Sequence, residues 1–442
     1  MAPDPVSRSS AAGGDAPQGF LKSAHTIDVA SWLARLPFEE AWRHLFGLEP
    51  SRRAKVFENL PLNVQVDLAR MVPRPDMARI VAAMDADDRV DFFNRLRPDE
   101  QTRLIGDLAP EDQDDIRRLS TYADECAGAI MTSDYATLDA GMTAEAAIAA
   151  LRQQAPGKET IYRSYVVDQD HRLTGSVRLH ALILAAADTT VNDLMEPAPI
   201  SVTLDTDQED VGKLIARYDL LAIPVVDDTG RLVGIVTHDD AADVMQAEAT
   251  EDFQKISTVM PFTQNMREAG IGILYSRRIV WLALLVFGNL FSGAGIAFFE
   301  ETILAYVSLV FFLPLLIDSS GNAGSQSATL MVRALATGDV ALADWRNLIL
   351  RELAVAAALG ATMAAVVFPV GAWRGGVDVA LTVGLTMFLV VIIGSLVGMS
   401  LPFLLSRLRL DPATASGPLV TTISDATGVV IYFSIATAVL SL

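Results

Sequence analysis

The stretch "PLVTTISDATGVVIYFSIATAVLSL", residues 418–442, closes the chain and decides how the rest is read. It is long enough to cross a hydrocarbon core of about 30 Å, which takes roughly 20 apolar residues. Yet it contains Asp425, and a carboxylate at membrane depth costs about 2.5–3.5 kcal/mol on insertion scales unless it meets a partner or water. On a helix, Thr421 and Thr422 fall four and three residues before Asp425 and Gly428 three after it, so hydroxyl, carboxylate and small residue share one face. Asp425 then lies about 10 Å along the helix from Pro418, inside the bilayer. Such a face suits an aqueous path. The competing readings are a structural hydrogen bond from Asp425 to another helix and, for Gly428, tight helix packing.

Four further apolar windows precede it, at 279–299, 304–331, 350–373 and 377–405, with the last span drawn at 414–440. The second and fourth are long and interrupted. "IDSSGNAGSQSATL" (317–330) is too polar to face lipid and belongs where it lines water or is buried in protein. Arginines lie before the first span (Arg277, Arg278), after the second (Arg333, Arg346, Arg351) and after the fourth (Arg407, Arg409). The opposite loops hold Arg374 with Glu300 and Glu301. The positive-inside rule then puts the N-terminal half in the cytoplasm and the C-terminus outside.

Charge divides the chain in the same place. Of 34 basic and 54 acidic residues, only 8 and 9 fall from Arg277 onward, so nearly all of the net charge of −20 belongs to the preceding, water-soluble half. An acidic surface of this kind excludes nucleic acid and favours cations, or is simply solubilising. All five histidines and the single cysteine, Cys126, lie in the soluble half, and one cysteine excludes a disulfide within the chain. The membrane half therefore offers carboxylate, amide, hydroxyl and carbonyl oxygens, the ligands of a hard cation rather than of a soft metal. Mg²⁺, which keeps most of its waters and meets few carboxylates, fits a pore site made of Asp425 from each subunit.

Residues 1–26 read as a disordered tail without an apolar signal core. From Leu36 a 12-residue repeat begins, with starts at Leu36, Leu48, Leu60, Val72, Met84, Leu96 and Leu108 and a proline one or two residues later in most copies. A second apolar position recurs at Val56, Leu68, Ile80, Phe92, Leu104 and Ile116; the first copy misses it, with His44 there and Leu45 next. Proline fits a first helical turn and cannot continue the previous helix, so each unit predicts one short helix plus a turn, stacked as a solenoid. Next comes a duplication at a spacing of 59: "SYVVDQDHRLTGSV" (164–177) against "IPVVDDTGRLVGIV" (223–236). These two α/β units resemble a tandem CBS-domain pair. "GIVTHDD" (234–240) matches that family's nucleoside-contacting stretch, which implies nucleotide contacts from Thr237 and Asp240. The first unit departs from it, with Arg178 and Ala181 at the matching positions, so the pair serves either as a nucleotide site or as a dimerising, ion-responsive body. A helical pattern with clustered acids (Asp239, Asp240, Asp243, Glu248, Glu251, Asp252) follows and leads to the membrane. Such a run is either a solvated helix face or a self-repelling one that cations hold together.

Taken whole, the chain resembles the MgtE family of magnesium channels and transporters from about residue 27 onward. The residues that carry the likeness are "EATEDFQKIS" (248–257), "GNAGSQSATLMVRALATGDV" (321–340) and "LDPATASGPLVTTISDATGVVIYFS" (410–434). The resemblance implies a multi-domain α-helical membrane protein. Its parts are an all-α N-terminal superhelix (27–120), an α/β CBS pair (121–189 and 190–247), a connecting (plug) helix (248–276) and a five-helix transmembrane domain (277–442). It implies a non-enzymatic homodimer in the inner membrane, with Mg²⁺ both carried and sensed. By motif the selectivity carboxylate falls on Asp425, with Thr421, Thr422, Asn322, Ser325 and Gln326 as its pore surroundings. Ser325 replaces the family's second Asn, and Asp318 adds an acid upstream. Regulatory Mg²⁺ ligands fall on Asp240, Asp243, Glu248, Glu251, Asp252 and Asp411, and ATP or another adenine nucleotide is implied at the CBS pair. Two rivals remain: a carrier exchanging divalent ions against Na⁺ or H⁺, for which no inverted repeat is visible, and a membrane-anchored nucleotide sensor, which leaves Asp425 unexplained.

Overall fold

Every start of the 12-residue repeat becomes a helix. α1 (Thr26–Leu33) is followed by α2 (Phe38–Phe46), α3 (Pro50–Glu58), α4 (Leu62–Met71), α5 (Arg74–Val81), α6 (Ala86–Arg95), α7 (Pro98–Gly106) and α8 (Pro110–Leu119). Proline occupies the first turn of α3, α7 and α8 and the position just before α2, α4 and α5, where its fixed φ starts a helix and its missing N–H leaves no orphan. The recurring apolar residues Val56, Leu68, Ile80, Phe92, Leu104 and Ile116 are all buried, and Leu45 takes the place of the off-phase His44. Helices two apart in sequence pack on each other, α1 on α3, α2 on α4 and so on, giving one continuous superhelical core. The structure, a computed structural model, describes residues 19–262 and 269–440. The predicted tail is shorter than 26 residues. Phe20–Ser23 forms a helical turn, Phe20 stacks edge-on against Trp32, and the Arg52 guanidinium donates to the carbonyls of Leu21 and Ala24. Residues 1–18 lie outside the described residues.

The duplication is visible in the strand register. The first unit contains β1 (Tyr135–Leu138), α9 (Ala144–Gln154), β2 (Thr160–Val167), β3 (Leu173–Arg178), α10 (Leu179–Leu184) and β4 (Glu196–Pro197). The second contains β5 (Val202–Thr203), α11 (Gln208–Arg217), β6 (Ala222–Val226) and β7 (Leu232–Thr237). The sheets run β1-β2-β3-β4 and β5-β6-β7, each a parallel pair followed by an antiparallel hairpin. Val166 pairs with Gly175 and Val167 with Leu173; the same 59-residue shift gives Val225 with Gly234 and Val226 with Leu232, irregularity included. The units clasp each other across their turns, Leu173 N–H donating to Gly230 O and Leu232 N–H to His171 O, both at 3.0 Å. The array docks on this pair through Asp115, which accepts from the Ser133 hydroxyl at 3.0 Å, and through Arg118, which donates to Val233 O.

This compact unit ends at Met245 and a second begins at Gln246. α12 (His238–Ile256) carries the clustered acids but does not continue to residue 276 as expected. Thr258 takes a left-handed φ of 55° and the Gln254 amide pins Phe262 N–H and C=O, so the chain leaves the helix before Pro261. Residues 263–268, also within the expected helix, lie outside the described residues. The membrane half then consists of α13 (Ile271–Phe298), α14 (Ser308–Ala336), α15 (Trp345–Arg407) and α16 (Gly417–Val439). α15 is a hairpin of two helices rather than one rod. Gly376 breaks it with φ 81°, and a side chain at Gly371 would meet Ala380, and one at Gly360 would meet Phe388, each at 2.8 Å. Its two arms coincide with the windows read at 350–373 and 377–405. The segments containing α13, α15 and α16 are long and apolar enough to cross a membrane. α14 matches them in length, and its polar second half stays helical because its small residues are buried against α15 and α16.

Glycine makes that packing possible. A side chain at Gly398 would run into Gly324 O and one at Gly394 into Ser320 O, so α14 and α15 cross with backbones in contact. Gly428 does not serve close packing within the chain, since a side chain there meets nothing within 4 Å. We therefore predict that Gly398→Val lowers the resistance of the detergent-solubilised protein to heating, by about 1–3 kcal/mol or more, whereas Gly428→Ala melts with wild type. Equal melting of the two variants would contradict the crossing.

Candidate cation and nucleotide sites

α14 and α16 run antiparallel in close contact. Gly321 admits the Thr421 methyl, whose carbon a side chain there would meet at 2.8 Å, and the Ser325 hydroxyl donates to Gly417 O at 3.3 Å. The half-buried Asp425 follows one turn beyond Thr421 on α16. The Thr421 and Thr422 hydroxyls do not project beside it as the shared-face reading supposed. Both donate to Pro418 O at 2.9 Å, and their methyl groups pack against Gly321 and Gly288. Threonine back-bonding to its own helix explains this. Across on α14, Asn322 and Gln326 are exposed within one chain, and the Asn322 amide donates to Asp318 at 3.0 Å.

At the α12 end of this unit, Asp411 and Glu251 are joined through one ammonium. Lys255 lies 2.5 Å from each. Burial opposes its charge, but the two carboxylates outweigh that and hold its pKa above the usual lysine value. Asp411 also accepts from Ala413 N–H at 2.8 Å, which fixes the turn leading into α16. Two of the expected Mg²⁺ ligands are thus bridged by a side-chain cation. Asp252 lies one residue from Glu251 and half-buried like Glu248; both are engaged with neighbours.

The soluble unit gathers acids that the sequence reading did not single out. Carboxylate oxygens of Glu58, Asp85 and Asp88 lie within 4.8 Å of one another. Lys55 bonds Asp85 and lies 3.1 Å from Glu58, leaving the set net negative. Around it stand Asp87, Asp91, Glu159 and the expected ligand Asp240. Burial, reinforced by neighbouring carboxylates, pushes Asp88 up to about 8, Glu159 to about 7 and Asp91 to about 6, and moves Asp87 and Asp240 in the same direction. Asp243 is exposed and adds to the charge felt by Asp240. Oxygen-only donors with net negative charge suit a hard divalent ion. The sequence signal was present but dispersed, because α3, α6, the β2 edge and α12 supply the acids from distant positions.

The motif residues Thr237 and Asp240 do not line the cavity found in the CBS pair. Thr237 is buried, its hydroxyl lying 2.6 Å from Asp239 and 2.5 Å from Asp240, so it closes the start of α12. A cavity of about 510 Å³ lies in the CBS pair, lined by Tyr162, Arg163, Arg178, His180, Tyr218 and Asp219 among others. Arg178 and Arg163 flank it, tethered to Glu196 at 2.7 and 3.1 Å. Rings and guanidinium groups around such a volume can take a base and phosphates. The residue that broke the motif in the first unit is therefore a wall of this cavity.

Because these carboxyls have raised pKa values in the folded state, that state holds protons which an unfolded chain releases near pH 4. Their contribution to stability is full below about pH 4 and is lost as pH rises through the values of 6 to 8. Without divalent ions, amide-exchange protection of α3 and α6 in the full chain should fall between pH 5.5 and 8.5, and Mg²⁺ should restore it. Protection that rises with pH, or is indifferent to Mg²⁺, would contradict the reading.

Three family models cover the chain: an intracellular N domain of MgtE at residues 24–125, CBS domains at 127–188 and 191–247, and the MgtE divalent cation transporter at 313–435. The magnesium transporter MgtE of Thermus thermophilus is 38% identical over 419 residues, spanning 94% of this chain and 93% of the relative. That of Bacillus subtilis is 32% identical over 422 residues, spanning 95% and 93%. Among solved structures, the cytosolic domain of the Mg²⁺ channel MgtE in complex with ATP aligns at 36% identity and TM-score 0.50, over 51% of this chain and 93% of that one. With these matches over almost its whole length, the chain belongs to the MgtE family of divalent cation transporters.

Proposed function

We propose that this transporter is a Mg²⁺-selective channel for magnesium uptake, working as a homodimer in the inner membrane with five spans per chain, a cytoplasmic N-terminus and an external C-terminus. The observation that carries the reading is Asp425, half-buried on the apolar helix α16 one turn beyond Thr421, which packs on Gly321 of α14. Asp425 from each protomer receives the ion with its waters, the mode that Mg²⁺ prefers. Asn322, Ser325 and Gln326 edge the path, while Thr421 and Thr422 set the helix start through Pro418.

Regulation follows from the acidic faces. Cytoplasmic Mg²⁺ binding at the Glu58–Asp85–Asp88 set, Asp240 and the acids of α12 favours the closed pore. Depletion leaves like charges to repel and opens it. A ligand shifts such an equilibrium only by its differential affinity for the two states. On this reading Lys255 holds Glu251 and Asp411 together as a fixed counter-charge, and Mg²⁺ adds to that bridge. The cavity walled by Arg178 takes an adenine nucleotide, as the ATP complex of the aligned cytosolic domain suggests.

The decisive experiment is flux through purified protein in liposomes with Mg²⁺, Co²⁺ and Ca²⁺ compared. Asp425→Ala is expected to reduce Mg²⁺ flux by tenfold or more, about 1.4 kcal/mol per decade; wild-type flux from that variant would sink the pore assignment. Neutralising both Glu251 and Asp252 should leave flux less inhibited by cytoplasmic Mg²⁺, and unchanged inhibition would count against the acidic faces as the sensor. Single-channel currents driven by a Mg²⁺ gradient alone separate a channel from an exchanger.

A further inference from the structure

The contacts between α14 and α16 step in register. Ser325 meets Gly417, and one turn further Gly321 meets Thr421. One more turn brings Asp318 to the level of Asp425, and the two carboxylates lie within electrostatic reach of each other. Asp318 is on the face of α14 opposite its buried residues Leu316, Ser320, Gly324 and Ser327, one and two turns before Asn322 and Gln326. The Asn322 amide holds its carboxylate. Among the described residues the ion pairs in this half join Lys255 to Glu251 and to Asp411, and none involves Asp318 or Asp425. A carboxylate on a polar helical stripe at this depth is tolerated where it meets water or ions.

We propose that Asp318 is a second carboxylate of the permeation site, giving each protomer two negative charges around the passing ion. Asp425 is the nearer selectivity group, and Asp318, oriented by Asn322, strengthens the field that favours a hydrated divalent ion over Na⁺ or K⁺. The attraction scales with ion charge, so an added carboxylate raises divalent occupancy more than monovalent occupancy. The ligand class is a hard divalent cation bound through its waters. The proposal rests on the reading of Asp425 as a pore residue.

The test measures Mg²⁺ flux and Mg²⁺-over-Na⁺ permeability of the full-length protein in liposomes for Asp318→Asn, Asp318→Glu and Asp425→Asn. For Asp318→Asn we expect the half-saturating Mg²⁺ concentration to rise by about tenfold and monovalent permeability to increase, with flux at saturating Mg²⁺ reduced less than in Asp425→Asn. Asp318→Glu should recover both. Wild-type saturation and selectivity in Asp318→Asn, alongside lost flux in Asp425→Asn, would overturn this proposal and leave the Asp425 reading intact. Wild-type behaviour of Asp425→Asn would remove the reading itself. As a check independent of folding, Asp318→Cys in a Cys126→Ser background is inserted first and then modified. An anionic thiosulfonate should restore divalent selectivity and a cationic one abolish it; indifference to the sign of the added charge would overturn the proposal.

Discussion

Carboxylates gathered in greater number than their fixed counter-charges are the constraint around which this molecule is arranged. A pair of like charges a few ångströms apart repels by several kcal/mol at the effective dielectric of a protein surface, and more as water is removed. The chain nonetheless assembles such groups in the soluble unit, around Glu58, Asp85 and Asp88, and in the membrane unit, around Asp425. One lysine serves the first set and one joins Glu251 to Asp411. On the reading proposed above, a mobile cation supplies the counter-charge that these sets lack.

Presenting a charge at membrane depth requires a rigid support, and here the support is close helix crossing. Gly394 and Gly398 let α15 lie against the backbone of α14, and Gly321 and Gly324 let α16 approach from another side. Dispersion contacts at such short separation, rather than a hydrophobic drive that lipid already satisfies, hold the helices together. The buried stripe of α14 is therefore small and the opposite stripe polar. One segment thus packs tightly on its neighbours along one stripe and keeps its polar groups on the other.

The periodic features of the fold were legible in the sequence. A 12-residue proline-marked repeat forces one helix per copy, and a duplication at constant spacing reappears as an identical strand register. Hydropathy located the membrane helices because length and apolarity are local properties. Other features depended on contacts that one segment does not contain. The acid cluster joins residues from four elements. The Thr421 and Thr422 hydroxyls turn back to Pro418, a choice of rotamer rather than of sequence face. The cavity in the CBS pair is walled by Arg178, which motif matching had counted against it. The acidic helix stops at Ile256 because Gln254 captures the following loop, a tertiary contact that composition does not reveal.

A divalent ion that keeps its waters binds each carboxylate set weakly, and this bears on how many acids a sensor needs. One ion bound only in the closed state, at a concentration ten times its dissociation constant, stabilises that state by about 1.4 kcal/mol. Moving a pore from mostly open to mostly closed takes about 5.5 kcal/mol, which one such site does not supply. Several sites acting on one equilibrium do, and because their contributions add, the response to ion concentration steepens with their number. On the reading proposed above, the wide spread of carboxylates from α3 to α12, and the net charge of −20 that comes with it, suits a sensor built from many weak sites. A single high-affinity cage would respond more gradually, and it would release its ion too slowly to follow the supply.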